Sequence, residues 1–182
     1  MNLKENYTKK LVLTALFIAI GIILPFITMQ IPSIGNMLCP MHIPVILCGF
    51  ICGAPYGLLA GFATPLLRSV LFGAPPLMPI AVAMAFELAA YGGMTGIIYS
   101  KVYDKKWGIY ISLILAMIIG RGVWGIVSYG LYQTLGNPFT WKIFMAQAFL
   151  NAIPGIIIQL VFIPLLVYKL RERTIERISY GK

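Results

Sequence analysis

IPVILCGFICGAPYGLLAGFATPLLRSVLF, residues 43–72, is a thirty-residue apolar stretch that is too long for one ordinary membrane span, at roughly 20 residues each. Gly53-Ala-Pro-Tyr-Gly57 interrupts it, and Gly and Pro together supply a tight turn where helix interior is not needed. The stretch therefore reads as two helices in series, near 43–54 and 56–72. Four further apolar runs, Leu11–Met29, Leu77–Tyr99, Gly108–Tyr132 and Ile143–Val167, complete the chain.

Charge tests the count. Lys4, Lys9 and Lys10 precede the first run, Lys101, Lys105 and Lys106 interrupt the middle, and Lys169, Arg171, Arg173, Arg177 and Lys182 follow the last. Basic flanks stay on the cytoplasmic side of a membrane. Five spans would put the middle and final clusters outside, whereas six place all three inside. The expected fold is all-α, a polytopic membrane protein with six transmembrane helices near 11–29, 43–54, 56–72, 77–99, 108–133 and 143–169. Both termini are cytosolic, and residues 1–182 form a single transmembrane domain.

Composition agrees. The 182 residues are 60% hydrophobic and 10% charged, against about 25% charged in soluble domains, and the mean hydropathy is +0.90. The net charge of +9 follows the positive-inside pattern and does not indicate nucleic-acid binding. No small-residue cleavage site follows the first apolar run, so that helix is expected to be retained.

Enzyme chemistry lacks its residues. His42 is the one histidine, Asp104 the one aspartate, and no paired carboxylates or His-Glu cluster assembles, so neither a metal nor a catalytic site is expected. No Gly-rich Lys loop binds ATP, and no cofactor is implied. Cys39, Cys48 and Cys52 read as small buried hydrophobes. Ala81, Ala85, Ala89 and Gly93 form a small-residue stripe on the fourth span, and Ala15/Ala19, Gly49/Gly53 and Gly57/Gly61 repeat that spacing on the first three.

Three ionisable residues lie within spans: Arg68, Glu87 and Arg121. An intramembrane charge costs about 3 kcal/mol or more and normally faces the bundle interior. With two cations and one anion, one cation is left unmatched. Which arginine pairs with Glu87 is left open; Arg121, the deeper of the two, is the expected ligand-recognising cation, and Arg68 is able to satisfy Glu87 from the neighbouring helix. Arg121, Trp124, Ser128 and Tyr132 share one stripe, Glu87 and Tyr91 are one turn apart, and Gln147 and Asn151 likewise. If these faces converge, a small anionic metabolite fits. The uncharged connector Gln30–His42, with Pro32, Gly35, Asn36 and Pro40 breaking helix and Met37 among its apolar residues, is a candidate gate.

In its basic N-terminus, the Ala15-x-x-x-Ala19 helix, the long outer loop, the segment from Ile43-Pro44 through Gly61, the six spans and the basic tail, the chain resembles a substrate-specific (S) component of an energy-coupling factor (ECF) vitamin transporter. It most resembles the riboflavin and pantothenate group. The resemblance implies a vitamin-binding subunit of a bacterial plasma membrane that is not itself an enzyme. Its implied partners are a transmembrane coupling subunit and two ATP-binding subunits. Ala15 and Ala19 would contact the coupling subunit. Glu87, Tyr91, Arg121, Trp124 and Asn151 would hold the vitamin, with Ser128 and Arg68 as further candidates and Asn36, Met37 and His42 in the gate. Pantothenate is the leading ligand on charge, with riboflavin or another vitamin as competitor. The other class of function is a self-sufficient secondary transporter, which would need a relay of carboxylates beyond Glu87.

The topology has a direct test. A cysteine at Ser33 is expected to react with an impermeant thiol reagent added to intact cells, and a cysteine at Asp104 is expected to stay unlabelled; labelling at Asp104 would reject six spans.

Overall fold

The computed structural model describes residues 3–28, 40–103, 105, 107–136, 138, 140–147 and 152–170. Among these there is no strand. In chain order the helices are α1 (Leu3–Ile23), α2 (His42–Cys52), α3 (Ala54–Phe72), α4 (Val82–Val102), α5 (Gly108–Thr134), α6 (Trp141–Met145) and α7 (Ile153–Leu170). A 3-10 turn, Leu24–Thr28, extends α1, and a π turn, Leu77–Ala81, leads into α4.

Among the described residues four stretches are long and apolar enough to cross a membrane: Tyr7–Phe26, Leu77–Val102, Gly108–Thr134 and Ile153–Leu170. The expected pair over 43–72 is present as α2 and α3, meeting at Gly53. There φ is +96°, a value at which a side chain would be strained, and Gly57 N–H closes the first turn of α3 on the Gly53 carbonyl. α2, at 11 residues, is about 16 Å long and does not cross a bilayer core alone. α3 has the length, but Arg68, Thr64 and two prolines dilute its apolar character. Gly73, at φ +66°, ends α3 in a left-handed cap that donates to the Ser69 carbonyl.

Several boundaries differ from the sequence expectation. α1 begins at Leu3 and not near residue 11, because Lys4, Lys9 and Lys10 are good helix formers and continue it past the apolar run. The stretch expected as one helix over 143–169 is described as α6 and α7, with 148–151 outside the described residues. Thr140 caps α6 by accepting from the Ile143 N–H.

α4 is the hub, packed against α2, α3 and α5, while α1 covers α2 and α3, and α7 covers α2 and α5. α2 is the innermost element: apart from the partly covered Ile43, every residue from His42 to Cys52 is buried. An apolar helix enclosed on all sides reads as hydrophobic all round, as α2 does. Phe50 meets Tyr99 of α4 edge to face at 4.9 Å, and Ile163 and Val167 of α7 close the same cluster.

Glycine makes the enclosure possible. A Cβ on Gly49 or Gly57 would collide with the carbonyl oxygen of Gly92, one on Gly61 with the Leu88 carbonyl, and one on Gly96 with the backbone nitrogen of Ala54. Gly57 and Gly49 also abut, a Cβ on the former lying 2.8 Å from the latter's Cα. α3 and α4 thus run antiparallel with backbones in contact at every turn, and α2 joins them at the same seam. The expected stripe Ala81, Ala85, Ala89 and Gly93 is buried, but closest approach runs through Gly92 and Gly96 beside it. Without a hydrophobic force between helices in lipid, such contact supplies van der Waals attraction directly.

Replacing Gly92 with Val is therefore expected to abolish a monodisperse species on size exclusion, since even a few inserted methylenes in a packed interior cost about 1–3 kcal/mol and here the neighbour is backbone. Gly122→Ala, at an exposed helical position with open space at the Cβ, is expected to retain or raise the melting temperature.

Candidate functional site

α4 presents Glu87, Tyr91, Thr95 and Tyr99 at successive turns of one buried face. Glu87 is 2% exposed, and a lone carboxylate at that depth would cost several kcal/mol. Two elements answer it. Arg121 of α5 places Nη1 2.8 Å from Glu87 Oε1, and His42, the first residue of α2, places Nε2 3.7 Å from the same oxygen. Tyr91 stands beside this carboxylate, with its ring 5.2 Å from the His42 ring. Gly120 allows the approach, because a Cβ there would strike the Tyr91 ring.

The arrangement selects between the two pairings that the sequence leaves open. Arg121, not Arg68, neutralises Glu87, so Arg121 is not the unmatched cation. The two helices carrying the pair are adjacent, whereas Arg68 turns away toward α1. There its Nη1 donates to the Ile22 carbonyl and its guanidinium lies 5.0 Å from the Phe26 ring and 5.8 Å from the Phe72 ring. Arg68 stands outside the Glu87 cluster.

The α5 stripe does face inward. Ser128 is buried with no hydrogen-bond partner for its hydroxyl among the described residues, and Trp124 and Tyr132 are half-buried. Trp124 stacks on Phe144 of α6, 6.1 Å between ring centres, and Gly125 leaves room for Phe144 to lie flat on α5. His42 belongs to a helix and not to the gate loop; its ring nitrogens make no hydrogen bond among the described residues. Asn36, Met37 and Asn151 lie outside the described residues, and Gln147 is exposed, apart from the cluster. Ala15 and Ala19 are exposed on the outer face of α1.

Two buried polar residues escaped sequence reasoning. Gln159 of α7 is 1% exposed, and Thr95 is fully buried below Tyr91; neither Gln159 Oε1 nor Thr95 Oγ1 has a partner among the described residues. Gln159 carried a signal, being the lone polar side chain in the apolar run from Ile153 to Val167. Thr95 carried none, since threonine is common in membrane helices. A cleft of about 240 Å³ lies elsewhere, at the opposite end of the bundle between Lys10, Cys52, Gly53, Tyr56, Gly96 and Ser100. It contains no member of the Glu87 cluster, and its lining is mostly backbone and apolar surface. The buried cluster is the better site, because only there do charged and polar groups converge. Among the described residues no group of three metal-ligating side chains is present.

Removing one partner of a buried ion pair costs about 3–5 kcal/mol, because the other charge is left uncompensated. Arg121→Met alone is expected to lower the melting temperature sharply, and Glu87→Leu with Arg121→Met to recover most of that loss. A double variant as unstable as the single one would show that the pair is not the balancing interaction.

Residues 9–167 match the family described as ECF transporter, substrate-specific component. No curated protein and no solved structure shows significant similarity to the chain. Because the match runs through all seven helices, from within α1 into α7, the chain belongs to the substrate-specific components of ECF transporters.

Proposed function

We propose that the protein captures a vitamin from outside the cell and presents it to an ECF coupling subunit carrying two ATP-binding subunits. In this reading six spans cross the bacterial plasma membrane, with α2 and α3 as the second and third, and both termini are cytosolic. All three basic clusters then satisfy the positive-inside rule. The observation that carries the reading is the convergence of His42, Glu87 and Arg121 from three helices on one buried point, lined by Tyr91 and flanked by Ser128 and Trp124. Such a cluster is expensive in an apolar bundle unless it serves recognition. A secondary transporter is less well supported, since Glu87 has no second carboxylate within the spanning segments to continue a relay.

The pairing of Arg121 alters the expected ligand. Pantothenate follows from an unmatched Arg121, and that premise is gone. With Arg121 held by Glu87, a monoanion would have to compete with a carboxylate already in place, whereas an uncharged ligand with a hydrogen-bonding edge adds no buried charge. Riboflavin becomes the first candidate, and pantothenate the comparison. Ala15 and Ala19, exposed on α1, are placed for a partner helix that approaches closely.

Mass spectrometry of the molecule retained by the purified protein tests the substrate directly, with calorimetry on riboflavin and pantothenate alongside. Tight pantothenate binding without a riboflavin signal would restore the anionic ligand. Ala19→Trp is expected to abolish uptake in cells while ligand affinity stays within about threefold of wild type, because bulk on the outer face of α1 blocks helix approach without reaching Glu87. Unchanged uptake would remove that face from the partner interface.

A further inference from the structure

Arg68 is left over by this function. It is 3% exposed, sits one turn before the end of α3, and carries five N–H donors. Its one hydrogen bond is to the Ile22 carbonyl in the last turn of α1, and no carboxylate lies against it among the described residues. The carbonyl ends of α1 and α3 lie together here, each with roughly half a negative charge, and they explain why a cation is tolerated. They do not use its remaining donors. Among the described residues none of those nitrogens is both fully enclosed and unbonded, so the small exposed part of this buried side chain includes unused N–H groups.

The surface they reach is a lipid one. Phe26 and Phe72, which meet edge to face at 4.9 Å with the guanidinium beside both, are both substantially exposed, as are Ile23, Val70 and Leu71. Apolar and aromatic side chains at helix ends mark the boundary between hydrocarbon and headgroups. This end of α1 and α3 is opposite Lys9 and Lys10, so the boundary belongs to the leaflet away from the basic clusters. A planar guanidinium at that depth, with free donors and no protein anion, matches a phosphodiester in geometry and charge.

We propose that Arg68, framed by Phe26 and Phe72, binds the phosphate of an anionic phospholipid headgroup and so ties α1 to α3 through the lipid. The full-length protein in neutral detergent is titrated with phosphatidylglycerol, phosphatidylcholine or inorganic phosphate, and followed by native mass spectrometry and thermal unfolding. Phosphatidylglycerol is expected to form a retained adduct and raise the melting temperature, and the other two to do neither. In Arg68→Met, which keeps the side-chain length without the charge, affinity for one lipid is expected to fall by about ten- to a hundredfold. Arg68→Lys is expected to fall between, and background binding at the lysine clusters is common to all three proteins. Equal effects of the two lipids, stabilisation by inorganic phosphate alone, or an unchanged phosphatidylglycerol adduct in Arg68→Met would each overturn the site. If Arg68→Met does not fold, the wild-type titrations and Arg68→Lys decide.

Discussion

Backbone contact at Gly49, Gly57, Gly61, Gly92 and Gly96 is the constraint on which the other features rest. α2 is too short to cross lipid unshielded and too apolar to be wet, so it must be enclosed, and enclosure requires α3 and α4 to approach closer than any side chain permits. Once they do, α4 is fixed in rotation about its own axis. That rotation turns Glu87, Tyr91, Thr95 and Tyr99 into the bundle and brings Glu87 to His42 at the start of α2. The position of the buried polar cluster is thus a consequence of how glycines fit along the same helix, beginning at the Gly61 contact with Leu88 beside Glu87.

The two buried arginines show how differently one charge can be accommodated in the same bundle. Arg121 meets a carboxylate directly, and the pair is neutral at short range. Among the described residues Arg68 meets a backbone carbonyl, two aromatic rings and the ends of two helices, a diffuse negative environment with no single counter-ion. A count of charges cannot separate these cases: α4 packs against the helices of both arginines, and the decisive quantity is which face of its own helix each arginine occupies.

Much of the fold was legible in the sequence. Apolar run length, the Gly53-Ala-Pro55 break and the lysine clusters gave an all-helical membrane protein with α2 and α3 in series, and the inward face of α5 followed from the spacing of Arg121, Trp124 and Ser128. The residues of the cluster were also legible one by one, since a charge or an aromatic in an apolar helix stands out. Their pairing was not. α4 packs on the helices of both arginines, and only the facing of each side chain, Arg121 toward α4 and Arg68 toward α1, chooses Arg121. His42 was misplaced for a related reason: prolines and glycine before it read as loop, whereas Pro44 is tolerated in the first turn of α2. The extension of α1 to Leu3 was hidden because charge marks the edge of the membrane, not the edge of the helix.

The glycine seam also sets how this protein can change over generations. Every single-nucleotide change that alters a glycine codon's meaning gives a larger residue or a stop, and at Gly49, Gly57, Gly61, Gly92 and Gly96 even alanine meets backbone, which cannot move aside as a side chain can. The seam therefore has no small step open to it, and mutational drift is channelled to the lipid face of α5 and α7 and to the polar positions around Glu87. A scaffold frozen at its centre and free around its buried polar cluster can change what that cluster meets while its chain path stays the same.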